Sequence, residues 1–197
     1  QLTLFSMLAE ADERKTVVAP IVPQATLDAL PPRYRKAIEN ATMLFRFMEN
    51  KEGINYAPVF TGLLGSLDEA SKGLIVRRLN QDLPADAPSQ KAWFDVYLPH
   101  QLDAGKRRHY ESFAQNLKRT LVFSNGITPL GLLRNCLDYA LNDNTHLGGV
   151  FDALKSRFKV QGTRNVLEQV QKVYDFRNTF VAHQEKDLAD QKAAEKN

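Results

Sequence analysis

Residues 163–186, "TRNVLEQVQKVYDFRNTFVAHQEK", carry the strongest fold signal in the chain. Apolar side chains recur in steps of four and three residues from Val166 to Phe180. This spacing predicts an amphipathic helix that packs against partner helices. Arg177 falls in the same series, so the helix places a cation where its own pattern asks for an apolar side chain.

The upstream segments have the same helical character. Thr128 and Pro129 form the clearest helix start, an N-cap followed by proline at the first helical position. Ser66 opens an S-L-D-E capping box that is expected to split the second helical segment. No stretch alternates like an exposed strand. Helical signals cover segments 33–53, 57–84, 88–99, 103–126, 128–143, 145–159 and 163–186. We therefore predict an all-α fold, most simply an antiparallel bundle of four to six helices.

The pattern predicts three parts in the chain. Residues 1–32 contain four prolines and are interpreted as a connector from an upstream domain. Residues 33–186 form the helical bundle domain, and residues 187–197 form a polar tail. The chain begins with Gln1, so we expect it to be a piece of a longer protein.

The bulk composition is that of an ordinary globular domain. Of the 197 residues, 43% are hydrophobic and 25% charged, and the net charge of +3 is too small to identify a nucleic-acid-binding protein by itself. No apolar run is long enough to span a membrane, and no signal peptide is visible. We expect a cytoplasmic protein without membrane contact.

Metal and cofactor chemistry have no signature in the sequence. The single cysteine, Cys136, excludes an internal disulfide and a cysteine zinc site, and its apolar neighbours predict a core position. The four histidines lack ligand spacing such as H-E-x-x-H. No metal site and no cofactor are therefore expected.

Arg177 is the main candidate for a functional residue, because a charged side chain is unusual at an apolar position of a helix. An unpaired buried guanidinium is costly, so Arg177 must meet an acid, a phosphate, a carbonyl or water. On a straight α-helix, His183 lies about 120° around the axis from Arg177. The two converge only if the helix loosens near Val181 and Ala182, or if a second copy supplies one of them. The structural alternative is an arginine extended along a helix seam and a histidine favoured by the helix dipole.

The stretch "FRNTFVAH" resembles the motif of the HEPN superfamily, in which an arginine and a polar residue precede a histidine near the end of a core helix. Arg177, Asn178 and His183 match it position by position. The resemblance implies a HEPN-like bundle. In active members, two protomers bring their motifs together as a metal-independent ribonuclease.

The resemblance also implies roles for the three residues. His183 would exchange the proton of a ribose 2′-hydroxyl, Arg177 would hold the phosphate, and Asn178 would orient the pair. The resemblance further implies that the protein is a homodimer and that it acts on RNA. Many members of the superfamily are not nucleases, so a non-catalytic dimerisation or nucleic-acid-docking module is the alternative.

The end of the chain, "VYDFRNTFVAHQEK", is also similar to the C-terminal regions of bacterial helicase-type proteins described as type III restriction subunits. That similarity implies an upstream domain of the same polypeptide and a role in bacterial defence or restriction. The sequence contains no G-x-x-x-x-G-K-[ST] loop, so any ATPase lies outside it.

A second candidate site is the basic segment "GKRRHYESFAQNLKR" (residues 105–119). Its cations can track the phosphates of RNA or DNA, with His109 and Tyr110 beside them. The alternative is a solvated helix face, which is the usual role of a charge run. Candidate nucleic-acid-binding residues are Lys106, Arg107, Arg108, Lys118 and Arg119.

Overall fold

The computed structural model describes residues 23–49, 51, 57–95, 98, 102–125 and 129–182. Within these ranges the regular structure is helical and contains no strand. The predicted all-α helical-bundle class is confirmed. The predicted tail, residues 187–197, lies outside the described residues, as does most of the predicted connector.

The helices of the described residues differ widely in length. This part of the molecule has more helices than the four to six expected, because two of them contain only 5 and 8 residues. In chain order the helices are α1 (Gln24–Asp28), α2 (Pro32–Met48), α3 (Ala57–Leu79), α4 (Ala87–Phe94), α5 (Ala104–Leu121), α6 (Pro129–Asn142), α7 (Gly149–Phe158), α8 (Thr163–Phe176) and a π-helix (Arg177–Ala182).

Local side-chain caps explain where several helices begin. The carboxylate of Asp86 accepts a hydrogen bond from the Ser89 amide (2.8 Å), and that of Asp103 accepts one from the Lys106 amide (2.9 Å). These bonds satisfy amides that a first helical turn leaves unpaired, and they lower the pKa of each aspartate. The N-cap predicted at Thr128 lies outside the described residues.

The split predicted at Ser66 does not occur, because α3 runs without interruption from Ala57 to Leu79. The Ser66 hydroxyl donates to the carbonyl of Gly62 (3.1 Å), one turn back in the same helix. The hydroxyl therefore makes a bond that an uninterrupted helix permits, instead of capping a new helix.

The chain divides into two compact units, one formed by Gln1–Ser66 with Phe176–Asn197 and the other by Leu67–Asp175. In the described part of the first unit, the core consists of Ala41, Phe45, Met48 and Val59. The ring of Phe60 meets that of Phe176 edge-on at 4.9 Å.

The end of the predicted connector is part of the first unit. Leu27 of α1 is buried, and the Arg35 side chain donates hydrogen bonds to the backbone carbonyls of Leu27 (3.1 Å) and Asp28 (3.0 Å). These bonds fix the C-terminal end of α1 against the start of α2. The boundary predicted at residue 32 therefore falls between two helices that are in contact.

The second unit has an aromatic core between α5, α6 and α7. Phe151 is fully buried, and the rings of Phe113 (5.3 Å) and Tyr139 (4.8 Å) meet it edge-on. Cys136 lies in the same core, which confirms its predicted position. Burial raises the pKa of the Cys136 thiol far above its usual range, so the thiol is not a nucleophile.

The helix predicted to start at Thr145 starts later, at Gly149. Residues 143–148 form a loop instead, because the carboxylate of Asp143 accepts hydrogen bonds from the Thr145 amide (2.7 Å) and hydroxyl. Gly148 and Gly149 then adopt φ values of 72° and 53°, the left-handed region that glycine tolerates. These two glycines turn the chain into α7.

Candidate functional site

Arg177 and Asn178, the first two of the residues that match the HEPN motif, lie where α8 changes from α-helix to π-helix. α8 ends at Phe176, and the π-helix begins at Arg177 and ends at Ala182. A π-helix pairs each amide with the carbonyl five residues back, and such segments are rare and concentrated at functional sites. Arg177 is half-buried and engaged by another group, as its place in the apolar series requires.

The third motif residue, His183, lies outside the described residues. Its distance from Arg177 therefore stays a prediction. The π-helix covers Val181 and Ala182, where the sequence analysis required a departure from straight α-helix for Arg177 to meet His183. Asn178 follows Arg177 in the same π-helix and is also half-buried.

The apolar face of α8 is only partly covered. Val170 and Leu167 pack against the core of the second unit, whereas the side chain of Val166 is 45% exposed. The predicted packing face is therefore correct at Val170 and wrong at Val166, one turn earlier.

The basic segment on α5 is spread over three faces of the helix. At about 100° per residue, Arg107 and Lys118 lie roughly 100° and 120° from Lys106, and Arg108 and Arg119 lie roughly 200° and 220° from it. Arg108 and Arg119 are both exposed and lie on the same face of α5. The five cations therefore do not form one stripe.

Lys106 instead lines a cleft of about 600 Å³ in the second unit. One wall comes from α5 and includes Lys106, His109 and Tyr110. The other wall comes from α6, and the loop 143–148 closes one end with Asn144 and Thr145. The α6 residues of the wall are Arg134, Asn135, Asp138, Tyr139 and Asn142.

A hydrogen-bond network fixes the loop end of the cleft. The Tyr110 hydroxyl donates to Asp143, and the Tyr139 hydroxyl (2.9 Å) and the Lys155 ammonium (2.7 Å) donate to the carbonyl of Thr145. Burial works to raise the pKa of Asp143, but hydrogen bonds from Thr145 and Tyr110 outweigh it and lower the pKa. Asp143 is therefore an ionised, fully engaged carboxylate at neutral pH.

Lys106 and Arg134, the two cations of the cleft, differ in their contacts with the protein. The guanidinium carbon of Arg134 lies 4.9 Å from the ring centroid of Tyr174, a cation–π contact that fixes its position. Within the part of the chain that the structure describes, neither Arg134 nor Lys106 forms a salt bridge. Both charges are thus available to a ligand.

The α6 wall of the cleft was not predicted from the sequence. A signal was present, because Arg134, Asp138 and Asn142 follow one another at intervals of four and lie on one helix face. These residues are interleaved with buried leucines, and only the helix start and the core position of Cys136 were predicted for this segment. That this face of α6 lies opposite α5 across a cleft depends on how the helices pack.

Neither a metal site nor a membrane span is found in the described ranges. They contain no group of three His, Cys, Asp or Glu side chains that could hold a metal ion, and none of their helices is long and apolar enough to cross a membrane. Comparison with models of known protein families, with curated proteins and with solved structures finds no match to this chain.

Proposed function

We propose that this chain is a HEPN-like helical module of a larger bacterial defence, restriction or nucleic-acid-processing protein, acting as a metal-independent endoribonuclease. The observation that carries the proposal is the π-helix that begins at Arg177. It coincides with the segment "FRNTFVAH", which resembles the HEPN motif. A local departure from α-helix at a candidate motif is typical of a functional site.

Arg177 is assigned to the phosphate. Its planar guanidinium can donate two parallel hydrogen bonds to phosphate oxygens, and this grip strengthens as charge develops on them in the transition state. The half-buried position strengthens the electrostatic interaction because less water screens it.

His183 is assigned to proton transfer, because its ordinary pKa is near neutral. The ribose 2′-hydroxyl attacks the adjacent phosphorus and the bond from phosphorus to the 5′ oxygen breaks. One histidine takes the 2′ proton, and the histidine of a second copy gives a proton to the leaving 5′ oxygen. The products are a 2′,3′-cyclic phosphate and a 5′-hydroxyl, and Asn178 orients the reacting groups.

Two substitutions test these roles on single-stranded RNA in the presence of EDTA. His183→Ala is expected to lower the cleavage rate by about 10² to 10⁴ because it removes the proton-transfer group. Arg177→Lys is expected to be similarly defective, because an ammonium cannot reproduce the planar two-point contact. Rates are measured with gel-resolved, end-labelled RNA.

Matched controls come from the same chain. Arg164→Lys changes an exposed arginine at the start of α8, and His146→Ala removes an exposed histidine, so both should retain full activity. Circular dichroism must show native helix content in all four variants. Activity that persists in both motif variants, or that EDTA abolishes, contradicts the proposed mechanism.

The second candidate function is a non-catalytic module that dimerises and docks its parent protein on nucleic acid. Arg108 and Arg119 favour it, because they are exposed on one face of α5. Removal of an arginine that binds a phosphate should make the salt dependence of RNA binding less steep. The docking function would be favoured over catalysis by two results together. The protein would be a dimer that does not cleave RNA, and its RNA binding would weaken in Arg108→Gln and Arg119→Gln.

A further inference from the structure

The cleft between α5 and α6 has the features of a small-molecule site that is independent of the motif on the last helix. Its volume of about 600 Å³ lies in the range of ligand pockets in general. Each wall supplies one cation, Lys106 from α5 and Arg134 from α6. The two cations therefore line the same cleft, one from each wall.

The carboxylates of the cleft are already engaged by the protein. Asp143 accepts hydrogen bonds from Tyr110 and Thr145, and Asp138 accepts one from the Asn142 amide (2.7 Å). These hydrogen bonds satisfy acceptor sites of the two carboxylates without cancelling their charge, whereas no salt bridge among the described residues uses the N–H groups of Lys106 or Arg134. The charged donors of the cleft are therefore open to a ligand, which favours a ligand with an anionic acceptor group.

The rest of the cleft suits hydroxyl groups better than a flat ring. The amides of Asn135 and Asn144 can each donate and accept hydrogen bonds, as sugar hydroxyls require. Of the rings in the lining, Tyr110, Phe113 and Tyr139 are buried in edge-on contacts with Phe151, and the imidazole of His109 is exposed. The three buried rings therefore offer little surface on which a nucleobase could stack.

We propose that this cleft binds a phosphorylated sugar, with the phosphate held between Lys106 and Arg134 and the hydroxyls held by Asn135 and Asn144. An inorganic phosphate would fill only a small part of the volume. An unphosphorylated sugar would leave both cations without a partner.

Isothermal titration calorimetry of the intact chain tests the proposal with named probes. Ribose 5-phosphate or glucose 6-phosphate is expected to bind at least about tenfold more tightly than ribose, glucose or inorganic phosphate, because only the sugar phosphates use both halves of the site. Equal affinity for sugar and sugar phosphate, or no binding at millimolar concentration, overturns the proposal.

Variants locate the binding. Arg134→Gln and Lys106→Gln should each weaken sugar-phosphate binding about tenfold or more, because each loses a charge-assisted hydrogen bond. Asn135→Ala should weaken sugar-phosphate binding but not phosphate binding. Arg77→Gln, an exposed arginine in the last turn of α3, is the matched control and should bind as the wild type does.

Thermal unfolding of each variant distinguishes weaker ligand binding from a damaged fold. Amide chemical shifts that move at Lys106 and Arg134 on addition of ribose 5-phosphate provide a second readout without substitution. Shifts confined to other parts of the chain overturn the proposal. Binding of single-stranded RNA that depends on Arg134, without binding of either free sugar phosphate, also overturns it and assigns the cleft to RNA.

Discussion

At the scale of single residues, Gly149 shows how backbone conformation and packing together select one amino acid. Its φ of 53° is strained for any side chain, and a Cβ atom there would lie 2.3 Å from the backbone oxygen of Trp93. Gly149→Ala is therefore expected to lower the free energy of unfolding by at least about 1 to 3 kcal/mol, the usual cost of a strained backbone. Urea denaturation measures it.

Gly73 is the matched control for that substitution. It lies inside α3 in the same unit, and an added Cβ would have no atom within 4 Å. Gly73→Ala should raise the free energy of unfolding by about 0.5 to 1 kcal/mol, because alanine favours the helix and restricts the unfolded chain. If both substitutions destabilise the protein equally, the close approach between Gly149 and Trp93 is not the cause.

At the scale of elements, the loop 143–148 depends on the ionised state of Asp143. The folded pKa of Asp143 is lower than its ordinary value, so its contribution to stability is present above about pH 4. That contribution disappears as the pH falls through the folded pKa. Asp143→Asn is expected to lower the free energy of unfolding at pH 7 by about 1.5 to 3 kcal/mol, the usual worth of hydrogen bonds to a charged group.

The difference in free energy of unfolding between wild type and Asp143→Asn should therefore shrink as the pH falls below about 4, the ordinary pKa of an aspartate. Urea denaturation midpoints at several pH values measure this difference in stability. Glu168→Gln, which changes an exposed carboxyl on α8 to an amide, is the control. A difference that stays constant with pH would show that the Asp143 charge does not hold the loop.

The start of a helix could be predicted where neighbouring residues in the sequence determine it. It was harder to predict where contacts between packed helices determine it. The proline before α2 and the cap at Asp103 are visible in the sequence, and both helices begin there. The start of α7 was missed because Thr145 is held in a loop by Asp143 and also by Tyr139 of α6 and Lys155 of α7, and the last two contacts form only when these helices pack. The π-helix was not predicted either, since the apolar spacing of α8 continues through it.

At the scale of the whole molecule, the fold class followed from helical periodicity, but the grouping of helices did not. The chain forms two compact units, and the divisions fall inside α3 and at the last residue of α8, where the π-helix follows. A continuous helix gives no break in the sequence pattern at such a division. The cleft could not be predicted from the sequence either. Lys106 and Arg134 belong to different helices, and only the packing of the core places these helices side by side.

The most direct test of the central proposal is the chemical end left on cleaved RNA. The intact chain is incubated with a single-stranded RNA in EDTA, and the products are identified by mass spectrometry. The proposal predicts a 2′,3′-cyclic phosphate on one fragment and a 5′-hydroxyl on the other, with both absent for His183→Ala purified in parallel. Fragments with a 5′-phosphate and a free 3′-hydroxyl, or cyclic phosphate formed equally by His183→Ala, would contradict it.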